Sequence, residues 1–227
     1  DERQLIIGVD RLDYSKGLHQ RFRSYERLLE KYPNAQNNVT LMQIAPPTRV
    51  GVRAYDEIRG ELEQDSGRIN GRFASSDWVP IRYLNKGIAR KPLMGFFRNA
   101  DVGLVTPVRD GMNLVAKEYC AANVTENGVL ILSEFAGAAA QLRADALLVN
   151  PYDIEEVADI IAAACDMPLA ERRRRMQILR AKVREYDIYR WVDSFLNVVF
   201  ARDQTAFPPL EDYITSGSRK LFSQAYV

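Results

Sequence analysis

The chain has 227 residues, and its 31 basic and 30 acidic side chains leave a net charge of +1. This balance gives no electrostatic reason to expect a nucleic acid or a membrane surface as partner, and no apolar run is long enough to cross a bilayer. Hydrophobic residues make up 47% of the chain, which suffices for the core of one large domain or two small ones.

Short apolar runs alternate with helical periodicity along the chain. Strands are predicted at residues 5–9, 39–44, 81–84, 102–105, 129–132 and 147–149. Helices are predicted at residues 16–32, 52–68, 91–99, 113–122, 137–142, 154–165, 169–186 and 189–201. This alternation indicates an α/β fold, a mostly parallel Rossmann-like sheet with helices on both faces. Ligands of such sheets bind beyond the carboxyl ends of the strands.

The character of the sequence changes near its end. Residues 1–200 are predicted to form one domain, whereas residues 201–227 contain a Pro-Pro break and a Ser/Gly-rich segment. We expect the latter to be a docked arm or a tail.

Two basic residues follow the first predicted strand. Neither of the common glycine-rich phosphate motifs occurs in the chain. Arg11 and Lys16 nevertheless lie on a strand-to-helix turn, where two cations beside free helix N–H groups suit a diphosphate. The alternative is that both pair with Asp10 and Asp13 in a salt-bridge cluster.

A second polar loop follows the strand at 102–105. Gly111 allows a ligand to approach the backbone, and Asn113 is a good N-cap for the next helix. Glu118, about one turn into that helix, could accept hydrogen bonds from ribose hydroxyls. The alternative is an ordinary helix start with a surface pair between Lys117 and Glu118.

Three further segments have simpler interpretations. Arg49 follows a strand, and an ordinary solvated arginine is the favoured interpretation from the sequence pattern alone. The small residues at 133–139 suit close packing of a helix on the sheet. The arginine run at 172–175 lies in a helix with a buried apolar stripe, so we interpret it as a solvated face and not as a nucleic-acid site.

The chain has one histidine and two cysteines, too few and too scattered for a structural zinc site. Cys120 and Cys165 lie in apolar helical stretches, so we expect buried, reduced thiols and a cytoplasmic location. His19 has no G-x-S-x-G motif to accompany it in a Ser-His-Asp mechanism.

Several of these loops together resemble trehalose-6-phosphate synthases, which are retaining glycosyltransferases of the GT-B architecture. The matching segments run in chain order over residues 9–17, 43–46 with Arg49, 67–71, 101–107, 109–119, 133–139 and 149–153. The longest of them, RDGMNLVAKEY, is highly specific.

The resemblance implies a role for each matched polar residue. Arg11 and Lys16 would neutralise the donor diphosphate, and Asp110 would hold a hydroxyl of the transferred glucose; these three are the catalytic candidates. Glu118 would bind the ribose, and Arg49 would bind the phosphate of the acceptor. Backbone and helix-start contacts to the donor would come from Ile88, Gly111, Met112, Asn113, Leu114, Val115, Ala116 and Lys117. Ile88 would contact the base, whose identity stays open.

The implied reaction transfers glucose from UDP-glucose to glucose 6-phosphate, giving trehalose 6-phosphate and UDP with retention of the α configuration. Charge stabilisation at the diphosphate by the two cations would suffice, so neither a metal nor another cofactor is expected.

The resemblance also implies that this chain is the C-terminal, donor-binding half of the enzyme. The N-terminal domain, which makes most acceptor contacts, would be its partner, and the chain alone is expected to be inactive. An apolar stripe formed by Trp191, Phe195, Leu196, Val199 and Phe200 leaves a homo-oligomer open. Alternatives are a glucosylglycerol-phosphate synthase, a cyclitol-coupling pseudo-glycosyltransferase, and a non-catalytic nucleotide-binding or regulatory domain.

Overall fold

The computed structural model describes residues 3–48 and 52–201. Its strands are β1 Gln4–Val9, β2 Val39–Ile44, β3 Ile81–Leu84, β4 Val102–Val105, β5 Val129–Ser133 and β6 Leu147–Val149. Its helices are α1 Leu18–Lys31, α2 Arg53–Phe73, α3 Arg90–Asn99, α4 Leu114–Ala122, α5 Ala139–Leu142, α6 Ile154–Cys165, α7 Leu169–Glu185 and α8 Ile188–Ala201. The alternation predicted from the sequence is confirmed.

The strands form one parallel sheet in the order β3-β2-β1-β4-β5-β6. The chain builds outward from β1 to β3 and then returns to place β4 on the other side of β1. A crevice therefore opens at the carboxyl ends of β1 and β4, which is where open α/β sheets bind ligands.

Both faces of the sheet are covered, as expected for a parallel sheet with strongly apolar strands. On one face α1, α2 and α6 contribute buried side chains such as Phe22 and Leu62. On the other face α3, α4 and α7 contribute Phe97, Tyr119 and Met176. The predicted α/β class with helices on both faces is thus confirmed.

Three helix boundaries differ from the predicted ones by two residues or more. The first helix does not start at Lys16, because Tyr14–Lys16 form a short 3₁₀ turn and Gly17 adopts a left-handed φ of 65°. Helix α2 continues past residue 68 to Phe73, and α5 begins at Ala139 instead of residue 137.

The arginine run in α7 is accounted for within the fold. Arg174 and Arg175 pair with Glu171, and Met176 and Leu179 are buried beneath the same helix. Both cysteines are free and buried, as predicted. Within the described part of the chain, no helix is long and apolar enough to span a membrane.

Candidate functional site

Three loops meet at the carboxyl ends of the central strands. Loop A (residues 10–17) follows β1, loop B (residues 106–113) follows β4, and loop C (residues 134–138) follows β5. Loops A and B flank the crevice, and loop C lies beside loop B. Each loop contains polar or small residues that the sequence pattern indicated for ligand binding or close packing.

Backbone contacts fix loop A against loop B. The Ser15 carbonyl accepts hydrogen bonds from the N–H groups of Val108 and Arg109, at 3.0 and 3.1 Å. A Cβ atom on Gly17 would collide with the Thr106 carbonyl, so this position requires glycine for its left-handed φ and for the close approach.

Loop C is fixed against loop B in a similar way. The Asp110 N–H donates to the Phe135 carbonyl at 3.3 Å, and the Gly137 N–H donates to the Asp110 carbonyl at 2.9 Å. A side chain on Gly137 would collide with the Gly111 backbone. The small residues at 133–139 therefore hold Asp110 in position, in addition to the predicted close packing of a helix on the sheet.

The centre of the site is a contact between two predicted residues. Lys16 Nζ lies 2.6 Å from Asp110 Oδ2, and the two side chains are only 13% and 15% exposed. Asn113 Nδ2 donates to the same Asp110 oxygen at 3.0 Å. A cation, a carboxylate and an amide are thus brought together from loops A and B.

Helix α4 begins at this cluster. Asn113 has a left-handed φ of 67°, and its Oδ1 accepts from the Ala116 N–H at 2.9 Å, which confirms the predicted N-cap. The preceding Gly111 and Met112 and the first helical residue, Leu114, are exposed. The free N–H groups of the first turn therefore lie at an open end that can receive an anion.

Glu118 and Lys117 are both half-buried in α4. Burial lowers the pKa of Lys117. The predicted alternative, an ion pair between these two side chains, does not occur in the described residues. Glu118 thus lies one turn from the helix start, and no cation in the described part of the chain pairs with it.

The other predicted residues are less closely joined. Arg11 is exposed directly after β1, with no polar partner among residues 3–48 and 52–201. Ile88 is half-buried against the apolar cluster on the α3 and α4 face. Neither makes a described contact with Lys16 or Asp110, and Arg49 lies outside the described residues.

The salt-bridge alternative for loop A is wrong. Asp10 pairs with Arg21 in α1, and Asp13 Oδ1 accepts from the N–H and hydroxyl of Ser15, at 2.9 and 2.8 Å. Lys16 instead contacts Asp110. Neither acidic residue of loop A forms a direct ion pair with Arg11 or Lys16 in the described residues.

The sequence interpretation missed Arg21, which is completely buried beneath the crevice. Its Nη1 donates to Asp10 Oδ2 at 2.6 Å and to Gln43 Oε1 at 2.8 Å, and its Nε donates to Thr106 Oγ1 at 3.0 Å. Burial raises the pKa of Asp10, and the Arg21 guanidinium opposes that rise. One signal was present in the sequence, since Arg21 stands beside Phe22 on the apolar stripe of its helix.

The described residues contain no group of three or more His, Cys, Asp or Glu side chains that could hold a metal ion. Lys16, the exposed Arg11 and the start of α4 contribute positive charge at the crevice. This arrangement can bind a diphosphate on one side and a hydroxyl-bearing group on the other.

Comparison with known proteins gives consistent matches. The family model for glycosyltransferase family 20 matches residues 1–200. The trehalose-6-phosphate synthase of Sodalis glossinidius is 56% identical over 195 residues, which are 86% of this chain and 41% of that protein.

Solved structures agree in fold. The UDP-forming α,α-trehalose-phosphate synthase from Burkholderia xenovorans, in complex with glucose-6-phosphate, has a TM-score of 0.84 and 55% identity. The match covers 86% of this chain and 43% of that one. An E. coli protein bound with UDP-2-fluoro glucose has a TM-score of 0.84 and 51% identity, with coverage of 86% and 44%.

The chain thus spans about two fifths of the length of these relatives. The expected architecture, one Rossmann-like half of a GT-B glycosyltransferase, is confirmed by the fold match. With its family model matched from residue 1 to residue 200, the chain belongs to glycosyltransferase family 20.

Proposed function

We propose that this chain is the donor-binding half of an enzyme that transfers glucose from UDP-glucose to glucose 6-phosphate. The products are trehalose 6-phosphate and UDP. The observation that carries the proposal is the contact of Lys16 with Asp110 at the start of α4, in a chain 55% identical to a UDP-forming synthase.

Lys16 and Arg11 are the proposed ligands of the donor diphosphate. Lys16 is held at the crevice by a short contact, whereas Arg11 is exposed directly after β1 and has no described partner to compete with a phosphate. Charge-assisted hydrogen bonds from both side chains would add to those from the helix start. These cations make a metal ion unnecessary for donor binding.

We assign the remaining donor contacts from the resemblance to trehalose-6-phosphate synthases. Asp110 would accept a hydrogen bond from a glucose hydroxyl in place of part of its contact with Lys16. Glu118, which has no ion-pair partner among residues 3–48 and 52–201, would accept hydrogen bonds from the ribose hydroxyls. The base would lie against the backbone near Ile88. Backbone contacts to the sugar and diphosphate would come from Gly111, Met112, Asn113, Leu114 and Val115, with Ala116 and Lys117 completing the helix start.

The proposed reaction needs no protein nucleophile. The bond between the anomeric carbon and the diphosphate oxygen breaks, and its electron pair leaves with UDP. The acceptor hydroxyl oxygen forms the new bond on the same face, and its proton passes to the departing phosphate. Arg11 and Lys16 would stabilise the negative charge that develops on that phosphate.

The acceptor half of the reaction is proposed to involve residues beyond the described ones. Arg49 would contact the acceptor phosphate. Since the chain spans about two fifths of its relatives, we propose that the acceptor site is completed by a second domain and that the chain alone is inactive. Holding the two reactants together can lower a barrier by roughly 7–11 kcal/mol.

Helix α8 provides a surface for that second domain. Its apolar side chains are exposed, including Trp191, Phe195 and Phe200, and Trp191 stacks on Phe195 at 5.7 Å. Monomeric soluble proteins seldom leave so continuous an apolar face uncovered. We propose that the second domain packs on it, with self-association of this chain when that domain is absent.

The test uses the longer protein to which we propose that this chain belongs. It is incubated in EDTA with UDP-glucose and glucose 6-phosphate, and UDP release and the product's anomeric NMR signals are followed. We expect UDP and an α,α-linked phosphodisaccharide to form in equal amounts. Neither product is expected with Lys16→Ala. A glycerol phosphate or cyclitol acceptor preferred over glucose 6-phosphate would support the alternatives, and nucleotide binding without transfer would support a regulatory domain.

The two free, buried cysteines support the proposed cytoplasmic location.

A further inference from the structure

A buried, charged network lies directly beneath the crevice. The Arg21 guanidinium is fully buried and connects three chain segments: Asp10 after β1, Gln43 in β2 and Thr106 after β4. Gly8 in β1 has no room for a side chain, because a Cβ atom there would collide with Gln43 and Arg21. The network is therefore packed tightly between α1 and the sheet.

The two ends of this network are the first residues of the two donor-binding loops. Asp10 immediately precedes Arg11, and Thr106 opens loop B, which carries Asp110. The same loops already touch through the backbone of Ser15. Displacement of Arg21 would therefore change the spacing between the cations of loop A and the start of α4, which directly follows loop B.

The network is poorly suited to a purely stabilising role. Arg21 Nη2 is buried and has no hydrogen-bond partner in the described residues. A buried ion pair with an unsatisfied donor commonly stabilises a fold less than apolar side chains of similar volume would. Geometry at the crevice is a better explanation for its presence than stability.

We propose that Arg21 is a positioning residue for the donor diphosphate. It acts through Asp10 and Thr106, which hold Arg11 and Lys16 of loop A and the start of α4, directly after loop B, at the separation that the diphosphate requires. The inference rests on the proposed function and deepens it, because it assigns the spacing of the diphosphate ligands to a buried residue that touches no substrate.

The test removes one bond of the network without changing its volume. Thr106→Val keeps the shape of the side chain but deletes the hydroxyl that accepts from Arg21 Nε, whereas Thr106→Ser keeps the hydroxyl. Calorimetric titration of the chain is expected to show UDP binding weakened about tenfold in Thr106→Val, with uridine binding changed by less than about twofold. Thr106→Ser is expected to bind UDP within about threefold of the original chain.

A matched control removes a buried hydrogen bond from the same helix, far from the crevice. The Tyr25 hydroxyl donates to the Val39 carbonyl at 2.8 Å, at the amino end of β2. Tyr25→Phe is expected to lower the melting temperature without changing the ratio of UDP to uridine affinity. If Thr106→Val does not fold, Arg21→Lys gives the same comparison, because a single ammonium nitrogen cannot occupy both the Nη1 and the Nε positions from which the guanidinium donates.

Selective loss of UDP binding in Thr106→Val or Arg21→Lys, restored in Thr106→Ser, supports the positioning role. Unchanged UDP binding in both, or equal losses for UDP and uridine, overturns it. Lys16→Ala is measured in parallel: if UDP binding survives that change, the proposed diphosphate site itself is wrong. If UDP binding is weakened in Lys16→Ala but not in Thr106→Val or Arg21→Lys, only the proposed role of Arg21 is rejected.

Discussion

Lys16 Nζ and Asp110 Oδ2 lie 2.6 Å apart, although the residues are separated by 94 positions in the sequence. Both side chains are mostly buried. The contact links loop A to loop B across the point where the strand order reverses. When no nucleotide sugar is bound, Asp110 therefore neutralises the Lys16 ammonium group, which we propose binds the diphosphate.

Asp110→Asn is therefore expected to strengthen UDP binding. The change removes a negative charge from the vicinity of an anion and frees Lys16, which is worth on the order of 1 kcal/mol at a partly exposed site. Titration calorimetry with UDP and the two chains measures it. Weaker UDP binding in Asp110→Asn would contradict this account of the contact.

The same variant gives an internal control. Uridine lacks the diphosphate, so its affinity is expected to stay the same. Any advantage that UDP-glucose has over UDP is expected to fall in Asp110→Asn, because the amide is a weaker acceptor for a glucose hydroxyl.

Arg11→Ala and Lys16→Ala are expected to weaken UDP binding much more than uridine binding. Loss of one charge-assisted hydrogen bond costs about 1.5–3 kcal/mol. The two variants differ in stability, because Lys16→Ala leaves Asp110 without its cation, whereas Arg11 is exposed and has no described partner. Denaturant unfolding should show a lower free energy of unfolding for Lys16→Ala and an unchanged one for Arg11→Ala. Equal weakening of UDP and uridine binding would show a structural role for both residues.

Glu118→Gln is expected to weaken UDP and uridine binding alike, since both contain the ribose. A carboxylate accepts hydrogen bonds from hydroxyls more strongly than an amide does, so the loss should be about 1 kcal/mol. Glu126→Gln, a surface change beyond the end of α4, is the control and should leave both affinities unchanged. Unaltered uridine binding in Glu118→Gln would remove this residue from the site.

The sequence predicted the fold well because its signals are local. The strands are short apolar runs and the helices have clear periodicity, so most boundaries agree within two residues. The start of α1 was misplaced because a capped turn at Asp13 and a left-handed Gly17 continue a helical pattern without forming the α-helix.

The site was predictable only as separate loops. The positions of Lys16, Asp110 and Asn113 at strand ends indicated a common crevice, but their pairing depends on loop geometry between distant segments. Arg21 was missed because its partners come from three strand ends. The helical periodicity places Arg21 on the apolar stripe of α1, but no local pattern predicts the partners that would neutralise it there.

Gly17→Ala is expected to destabilise the fold by about 2 kcal/mol or more. An alanine in the left-handed region costs about 1–2 kcal/mol, and its Cβ would also collide with the Thr106 carbonyl. Gly67→Ala in α2 is the matched control, since nothing lies near the added methyl group. It is expected to stabilise the helix by about 0.5–1 kcal/mol.

Urea unfolding of the original chain, Gly17→Ala and Gly67→Ala measures the two changes in the free energy of unfolding. Gly17→Ala should also weaken UDP binding, because the displaced Thr106 backbone belongs to loop B. A Gly17→Ala chain as stable as the original would show that the close contact of loops A and B is not required.

The central claim is that this chain binds the diphosphate of a uridine nucleotide with its own cations. The most direct measurement is titration calorimetry of UDP into the chain in EDTA, before and after addition of magnesium. The account predicts saturable binding at one site in EDTA, little changed by magnesium and lost in Lys16→Ala. Binding that appears only with magnesium, or that survives Lys16→Ala unchanged, would contradict it.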